Sequence, residues 1–453
     1  MTDAVVVGGG FAGLAAAAGL SSAGLRVTVL EPREGPPRGF RGELIHPPGA
    51  RLTGTFGLEE GLLRGGAEPV RGFAAFASPD QPPVLLPYSG ASGFGLGLEH
   101  GEMLAAFRSA VQGRRGVDVV AARAEDVVRG GDRVRGVRTD RGEEIRADLV
   151  VGADGRHSRL RGLLGLPTRS TLLSYSIVPA LDGDVLPQPG FGNVLLGAPG
   201  PILAYPFGKG RVRMVIDVPS EAAQGRDAIA ALLRERYVPV LPEPLRGALR
   251  RALEGGPFAG AANHAISTES CAVPGAVLVG DAGGCSHPLT ATGMTAALHD
   301  VKTLADCLRA GGATDAALLS YEKRRYRFVR ARELFSQALY DVFRGDGPGP
   351  RALRDGVFHY WRESDRARRA SMDILSGDDS SALSFASEYC RVVGISGWGT
   401  VASALRRREI RSAARNLPAL LAAAGDCLGL AVDKVRSTVA MERTRRLETA
   451  CST

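Results

Sequence analysis

Three short stretches hold the residue types that could bind a charged, ribose-bearing molecule. The first is Gly8-Gly9-Gly10-Phe11-Ala12-Gly13, between an apolar run at 4–7 and a helical stretch at 14–23. Glu31 closes a second apolar run at 26–30, with Pro32 and Arg33 beside it. Glycines at this spacing let the backbone approach a pyrophosphate, and an acid about 20 residues on can bind a ribose. A glycine pattern alone is a weak signal, but here strand, loop, helix, second strand and acid follow in the required order. The second stretch is the run DLVV at 148–151 leading into Asp154-Gly155 and a basic helix start at 156–161. The third is AVLVG at 276–280 followed by Asp281, then His287-Pro288-Leu289-Thr290 and Gly293-Met294 at the start of a helix. Such a junction aims unpaired N–H groups and a positive helix end at one spot, which suits an anion. Asp281, directly after Gly280, is placed to accept hydrogen bonds from a polyol or ribose.

Length and composition bound what can carry these loops. With 453 residues the chain has room for two or three domains. The net charge of +8 comes mostly from arginine, and no basic run is interleaved with aromatics, so the charge reads as solvated surface and nucleic acid is not an expected partner. Six cysteines lie scattered without CxxC spacing, which argues for a reducing compartment and against a disulfide frame or a metal site. The apolar start has Asp3 where a secretion signal needs positive charge. No run reaches the roughly 18 apolar residues of a membrane span. The chain therefore reads as cytoplasmic, with contact at a membrane surface left open.

In order along the chain, 71–86 reads as strands around a Pro-rich turn, 102–111 as a helix, and 117–128 and 133–138 as strands. Residues 169–260 change character, with frequent proline and alternating segments that suggest antiparallel strands. From 321 onward the pattern is helical, with a linker-like break at 345–350. The fold class is α/β: a Rossmann-like dinucleotide-binding domain (1–70, 98–168 and 261–344), an inserted antiparallel-sheet substrate domain (71–97 and 169–260), and a C-terminal helical region (345–453).

Three strand-end loops in this order resemble the two-domain FAD monooxygenases. Within that group HPLTATGMTAALHD at 287–300 resembles the HPLTGGGMT stretch of squalene epoxidases, where many aromatic hydroxylases have a different version. GELIHPPG from Gly42, VPGAVLVGDA before the third loop, the 202–219 segment and FSQALYDVF at 335–343 resemble that family in the same order. The likeness covers roughly 1–345 and fades beyond it, where the squalene enzymes carry membrane-seeking helices. The resemblance implies that Gly8, Gly10, Phe11, Ala12 and Gly13 lie against the pyrophosphate of FAD and that Glu31 binds the adenosine ribose. It places Arg41, Arg38 and Asp154 by the cofactor, and Asp281 at its ribityl or pyrophosphate part. The backbone at Gly293 and Met294 would face the flavin pyrimidine edge, with Pro288 and Leu289 flanking the ring. Phe73, His287, Leu289 and Tyr205 are the expected substrate-pocket residues. Phe73 departs from the family, which has a tyrosine in an Asn-Gly-Tyr segment there.

The implied chemistry belongs to the cofactor. Reduced flavin takes O2 to a C4a-hydroperoxide, whose distal oxygen is attacked by an electron-rich alkene of a small lipophilic isoprenoid or isoprenylated substrate. The protein supplies a water-poor pocket rather than a nucleophile or base, so no Ser-His-Asp or paired-carboxylate constellation is expected. No second dinucleotide fingerprint is present, so electrons come from NAD(P)H directly or through a separate reductase. No Cys or His is placed for a covalent flavin link. An aromatic or quinone-type hydroxylase, a prenyl-chain reductase and a non-catalytic FAD-bound protein are the alternatives; the lone Trp361 and Trp398, without a WxW pair, argue against halogenation. At 406–446 basic residues outnumber acidic ones beside Leu417, Leu420, Leu421, Leu428, Leu430 and Val435. That stripe either covers the substrate domain or lies on anionic lipid.

Overall fold

Runs such as AVVV, VTVL and LVVG have no polar alternate positions, so they suit a sheet covered on both faces. In the computed structural model they form one, and every residue of Ala4–Val7, Val27–Leu30 and Leu149–Gly152 is buried. The model describes residues 2–407 apart from 34, 36–41, 90–92, 182, 223–224, 256–257 and 345–347. The sheet order is Ala272–Val273, Ala276–Leu278, Leu149–Gly152, Ala4–Val7, Val27–Leu30, Val117–Val120. All neighbours are parallel except the first pair. Helix Phe11–Ser22 is nearly all Ala, Gly and Leu and lies in the core, as a helix apolar on all sides must. Its Gly19 allows the approach of helix Gly293–Gly311, because a Cβ there would stand 2.5 Å from Val301 Cγ1.

The expected strand at 117–128 is two strands. Val117–Val120 joins the parallel sheet, and after a break Ala124–Gly130 pairs with Arg133–Thr139 in a separate three-stranded sheet. A chain leaving one sheet for another must turn, and it does so at 121–123.

The second large sheet has seven strands, in the order Ala259–Thr268, Thr168–Val178, Val212–Pro219, Ile202–Pro206, Gly192–Leu195, Gly72–Phe76, Val84–Pro87. It is antiparallel apart from Gly192–Leu195 beside Gly72–Phe76, which run parallel. No hairpin constrains that pair, since the two segments come from distant parts of the chain. The last strand runs past 260, where the proline-rich character ends, to Thr268. Helices Arg226–Leu232 and Leu245–Gly255, not expected from the sequence pattern, belong to the same segment. Leu233, Tyr237, Leu241, Leu245 and Leu249 pack with Met214, Ile216 and Val218 in one core.

The chain divides into two compact units between Arg327 and Phe328. Helix Asp315–Phe343 crosses that point, and the second unit continues with Pro348–Glu363, Asp365–Ser376 and Ala382–Arg407. The first of these begins inside the expected linker at 345–350, as prolines are tolerated in a first helical turn. Ser364 caps the next, accepting from Ala367 N, and Phe335, Phe385 and Tyr389 stack within the unit. No helix among the described residues is long and apolar enough to cross a membrane. The stripe at 417–435 lies outside the described residues.

Candidate functional site

Parallel strands in adjacent register end on the same side of their sheet, and the three candidate loops follow three neighbouring strands. Ala4 faces Leu149, and Val150 in turn faces Ala276. Ala153 N donates to Val7 O at 2.8 Å and Val279 N to Gly152 O at 2.9 Å, so the ladder continues into the loops themselves. The glycine loop, the Asp154 turn and the Gly280 turn therefore open side by side.

The glycine loop leaves no room for side chains at three of its positions, and at Gly9 a Cβ would lie 2.5 Å from Glu31 Cβ. Gly8 has φ +104°, and a Cβ on it would lie 2.6 Å from Ala153 O. A Cβ on Gly13 would lie 1.8 Å from Gly8 O. At Gly10 a Cβ would meet nothing within 4 Å among the described residues, which leaves space above the loop at the start of helix Phe11–Ser22. Phe11 is buried against Phe107, and Ala12 is half-buried. Glu31 is buried, with Oε2 accepting from Gly9 N at 2.9 Å and Oε1 accepting from Arg33 N and Nε. The Arg33 side chain is 61% exposed, so it can yield Oε1 to another donor. Pro32 is exposed beside it. Arg38 and Arg41 lie outside the described residues.

In the second loop Asp154 Oδ2 accepts from Leu160 N at 3.0 Å, while Oδ1 is buried without a hydrogen-bond partner among the described residues. Buried Arg161 ties this loop to the third, donating to Ala282 O at 2.9 Å. In the third loop Gly280 is buried in a left-handed conformation and Asp281 is exposed.

The segment that follows is held from two sides by histidines. Leu289 N donates to His287 Nδ1 at 3.1 Å, so the hydrogen-bond network assigns the ring proton to Nε2. Nε2 points at Ser174 Oγ (2.9 Å) and Asp217 Oδ1 (3.1 Å). Ser174 donates to the same Asp217 oxygen and accepts from Asn263 Nδ2 at 2.9 Å; all four side chains are buried. Ser174, His287 and Asp217 thus meet although no such constellation was expected, because strands far apart in the chain bring them together. The cluster is no nucleophile triad: the serine proton goes to aspartate, and the nitrogen facing it already carries hydrogen. It joins the seven-stranded sheet to the turn that bears Pro288 (exposed) and Leu289 (half-buried).

From the other side, His46 Nε2 lies 2.9 Å from Thr290 O, a pure acceptor, so Nε2 donates and Nδ1 accepts from Tyr88 Oη at 2.8 Å. His46 N donates to Thr295 Oγ1 at 3.0 Å. Phe73 completes this buried group, with ring centroids 5.9 Å from His46 and 6.2 Å from Tyr88. Gly293 is exposed, Met294 is buried, and the Met294 tip lies beside Gly42. Tyr205 is also buried, but its hydroxyl is committed to Glu43 Oε2 at 3.3 Å, where Arg213 binds both carboxylate oxygens at 2.8 Å. Burial pushes the Glu43 carboxyl up, against the pull of the Arg213 hydrogen bonds. Ser174, Asn263, Tyr88 and Asp217 escaped the sequence reading. A lone acid in the apolar run MVIDVP was the available signal for Asp217, since charges are rarely buried unpaired.

The family model for squalene epoxidase matches residues 146–408, and that for FAD dependent oxidoreductases matches 3–60. Squalene epoxidase erg1 of Aspergillus fumigatus is 30% identical over 380 residues, covering 80% of this chain and 79% of its own length. The chain belongs to the squalene epoxidase family. Squalene epoxidase 2 of Arabidopsis thaliana is similar at 29% identity, over 86% of this chain and 69% of its own. Among solved structures, the p-nitrophenol 4-monooxygenase of Pseudomonas putida superposes with a TM-score of 0.71 at 21% identity, over 84% of this chain and 99% of that one, which shows a shared fold. The squalene epoxidase-like chain is an FAD-dependent monooxygenase.

The residues present fit that cofactor. Gly10 leaves open space at a helix N-terminus, Glu31 holds a displaceable partner, and Asp154 Oδ1 is an orphaned acceptor. Asp281→Ala is expected to weaken FAD binding to apo-protein. Losing a hydrogen bond to a charged acceptor costs about 1.5–3 kcal/mol, roughly ten- to a hundred-fold in affinity. Titration followed by flavin fluorescence measures it, and unchanged affinity would place Asp281 away from the cofactor.

Proposed function

We propose that the protein epoxidises a C=C bond of a lipophilic isoprenoid or isoprenylated substrate with O2, using NAD(P)H directly or through a separate reductase. In this reading Gly8, Gly10, Gly13, Glu31, Asp154 and Asp281 hold FAD, and Gly293 and Met294 border its ring. Bound FAD supplies the activation of O2; the chain orients the alkene and keeps water out.

The observation that carries the reading is the pairing of polar side chains between the loops and the seven-stranded sheet. His287, Ser174, Asp217 and Asn263 satisfy one another, His46 is paired with Tyr88 and Thr290, and Glu43 with Arg213. None of these groups offers a ready base, as a phenolic substrate would need, whereas an alkene needs none. Leu289, half-buried on the turn, then presents apolar surface. The C-terminal stripe at 417–435, taken as a membrane-surface contact, would serve the entry of such a substrate.

Turnover of a panel of prenylated compounds and phenols under isotopically labelled O2 tests this. One labelled oxygen on a prenyl double bond is the expected product. Ring hydroxylation of a phenol, or oxygen-independent reduction of the prenyl chain, would overturn it.

A further inference from the structure

Behind the Gly280 turn lies a buried ion pair that the flavin chemistry does not use. Asp300 is on helix Gly293–Gly311 and Arg325 on helix Asp315–Phe343, and both side chains are almost fully buried. An ion pair withdrawn from water is a poor source of stability, since well-packed apolar residues often do as well or better. Asp300 Oδ1 is even left without a hydrogen-bond partner among the described residues. The arrangement makes sense through what it holds.

Asp300 Oδ2 accepts at 2.9 Å from both Gly280 N and Arg325 Nε, and Arg325 Nη2 donates to Gly280 O at 3.4 Å. One ion pair thus binds both backbone polar groups of Gly280. That residue has φ +58°, and a Cβ on it would lie 2.9 Å from Ala12 Cβ. The turn also rests on the arginine: a Cβ at Gly283 would come within 2.8–2.9 Å of the guanidinium. Arg161 holds Ala282 O. Asp281 is the residue between these gripped neighbours, and it alone is exposed. Tyr321 Oη donates to Leu278 O at 2.8 Å, so the Arg325 helix also holds the end of the preceding strand. Asp300 stands two turns after Gly293, so the helix that begins beside the turn also carries its anchor.

We propose that Asp300 and Arg325 are positioning residues for the cofactor, fixing the direction in which Asp281 meets FAD. This rests on the placement of Asp281 at the cofactor. The test is a double-mutant cycle on FAD affinity, using apo-protein of Arg325→Lys, Asp281→Ala and the pair. Lysine keeps the charge but not the fork that spans Asp300 and Gly280 O. Arg325→Lys is expected to bind FAD about tenfold more weakly or worse, with an altered visible circular dichroism of the bound flavin. Adding it to Asp281→Ala should then cost little more. Additive effects, or a lysine variant with wild-type affinity and spectrum, would overturn the inference. An Asp281→Ala variant with unchanged affinity would instead remove the reading beneath it. The Asp300→Leu/Arg325→Met pair removes both charges together and guards against failure to fold. Folded and binding FAD as wild type does, it would overturn the inference; folded with weakened binding, it supports it.

Discussion

Gly13→Ala should give a folded but nearly colourless protein. The added Cβ would stand 1.8 Å from Gly8 O and 2.9 Å from Gly8 C, and both are backbone atoms that no rotamer change can move aside. Gly8 cannot retreat, because it sits against Ala153 O at a φ of +104°. Nor can the helix back away, since its Gly19 is in close contact with Val301. The loop must open, and two lost pyrophosphate hydrogen bonds at about 1.5–3 kcal/mol each amount to roughly 10²–10⁴ in affinity. Flavin content per chain after purification, followed by titration of apo-protein, reads the effect. Gly10→Ala is the informative companion. Its Cβ meets no atom of the described residues within 4 Å, so the apo-protein should melt as wild type does, and any loss of affinity reports contact with the cofactor itself. Wild-type FAD content in Gly13→Ala would mean that the pyrophosphate lies elsewhere.

Asp217→Ala should lower the stability of the seven-stranded sheet. It strands the buried Ser174 hydroxyl hydrogen, leaves His287 Nε2–H with Ser174 Oγ as its acceptor, and takes one acceptor from Asn263. An orphaned buried donor costs about 1–3 kcal/mol, and a loss of about that size is expected. Asp217→Asn keeps an acceptor oxygen and should lose less. Chemical denaturation of the two variants measures the difference. Because His287 also holds Leu289 N, turnover should fall in the alanine variant even at temperatures where it stays folded. An alanine variant as stable as wild type would show that the cluster does not tie the sheet to the turn.

The three strand-end loops were legible in the sequence because each is set by local chemistry. A strand must hand over to a helix with the backbone pressed against a neighbouring strand, and only glycine fits where a Cβ would strike a carbonyl, as at Gly8 and Gly13. Buried parallel strands announce themselves by unbroken apolar runs, so Ala4–Val7, Leu149–Gly152 and Ala276–Leu278 could be placed, and with them Glu31, Asp154 and Asp281. The tertiary structure alone decided which side chains meet around those loops. His46 N finds Thr295 Oγ1 across 249 residues of chain, and Ser174 finds His287 across 113. No local periodicity encodes such partners: they depend on strand register, where a slip of one residue turns a side chain to the opposite face. The partners of Tyr205 were decided in the same way. Only packing against Glu43 and Arg213 shows that its hydroxyl is engaged.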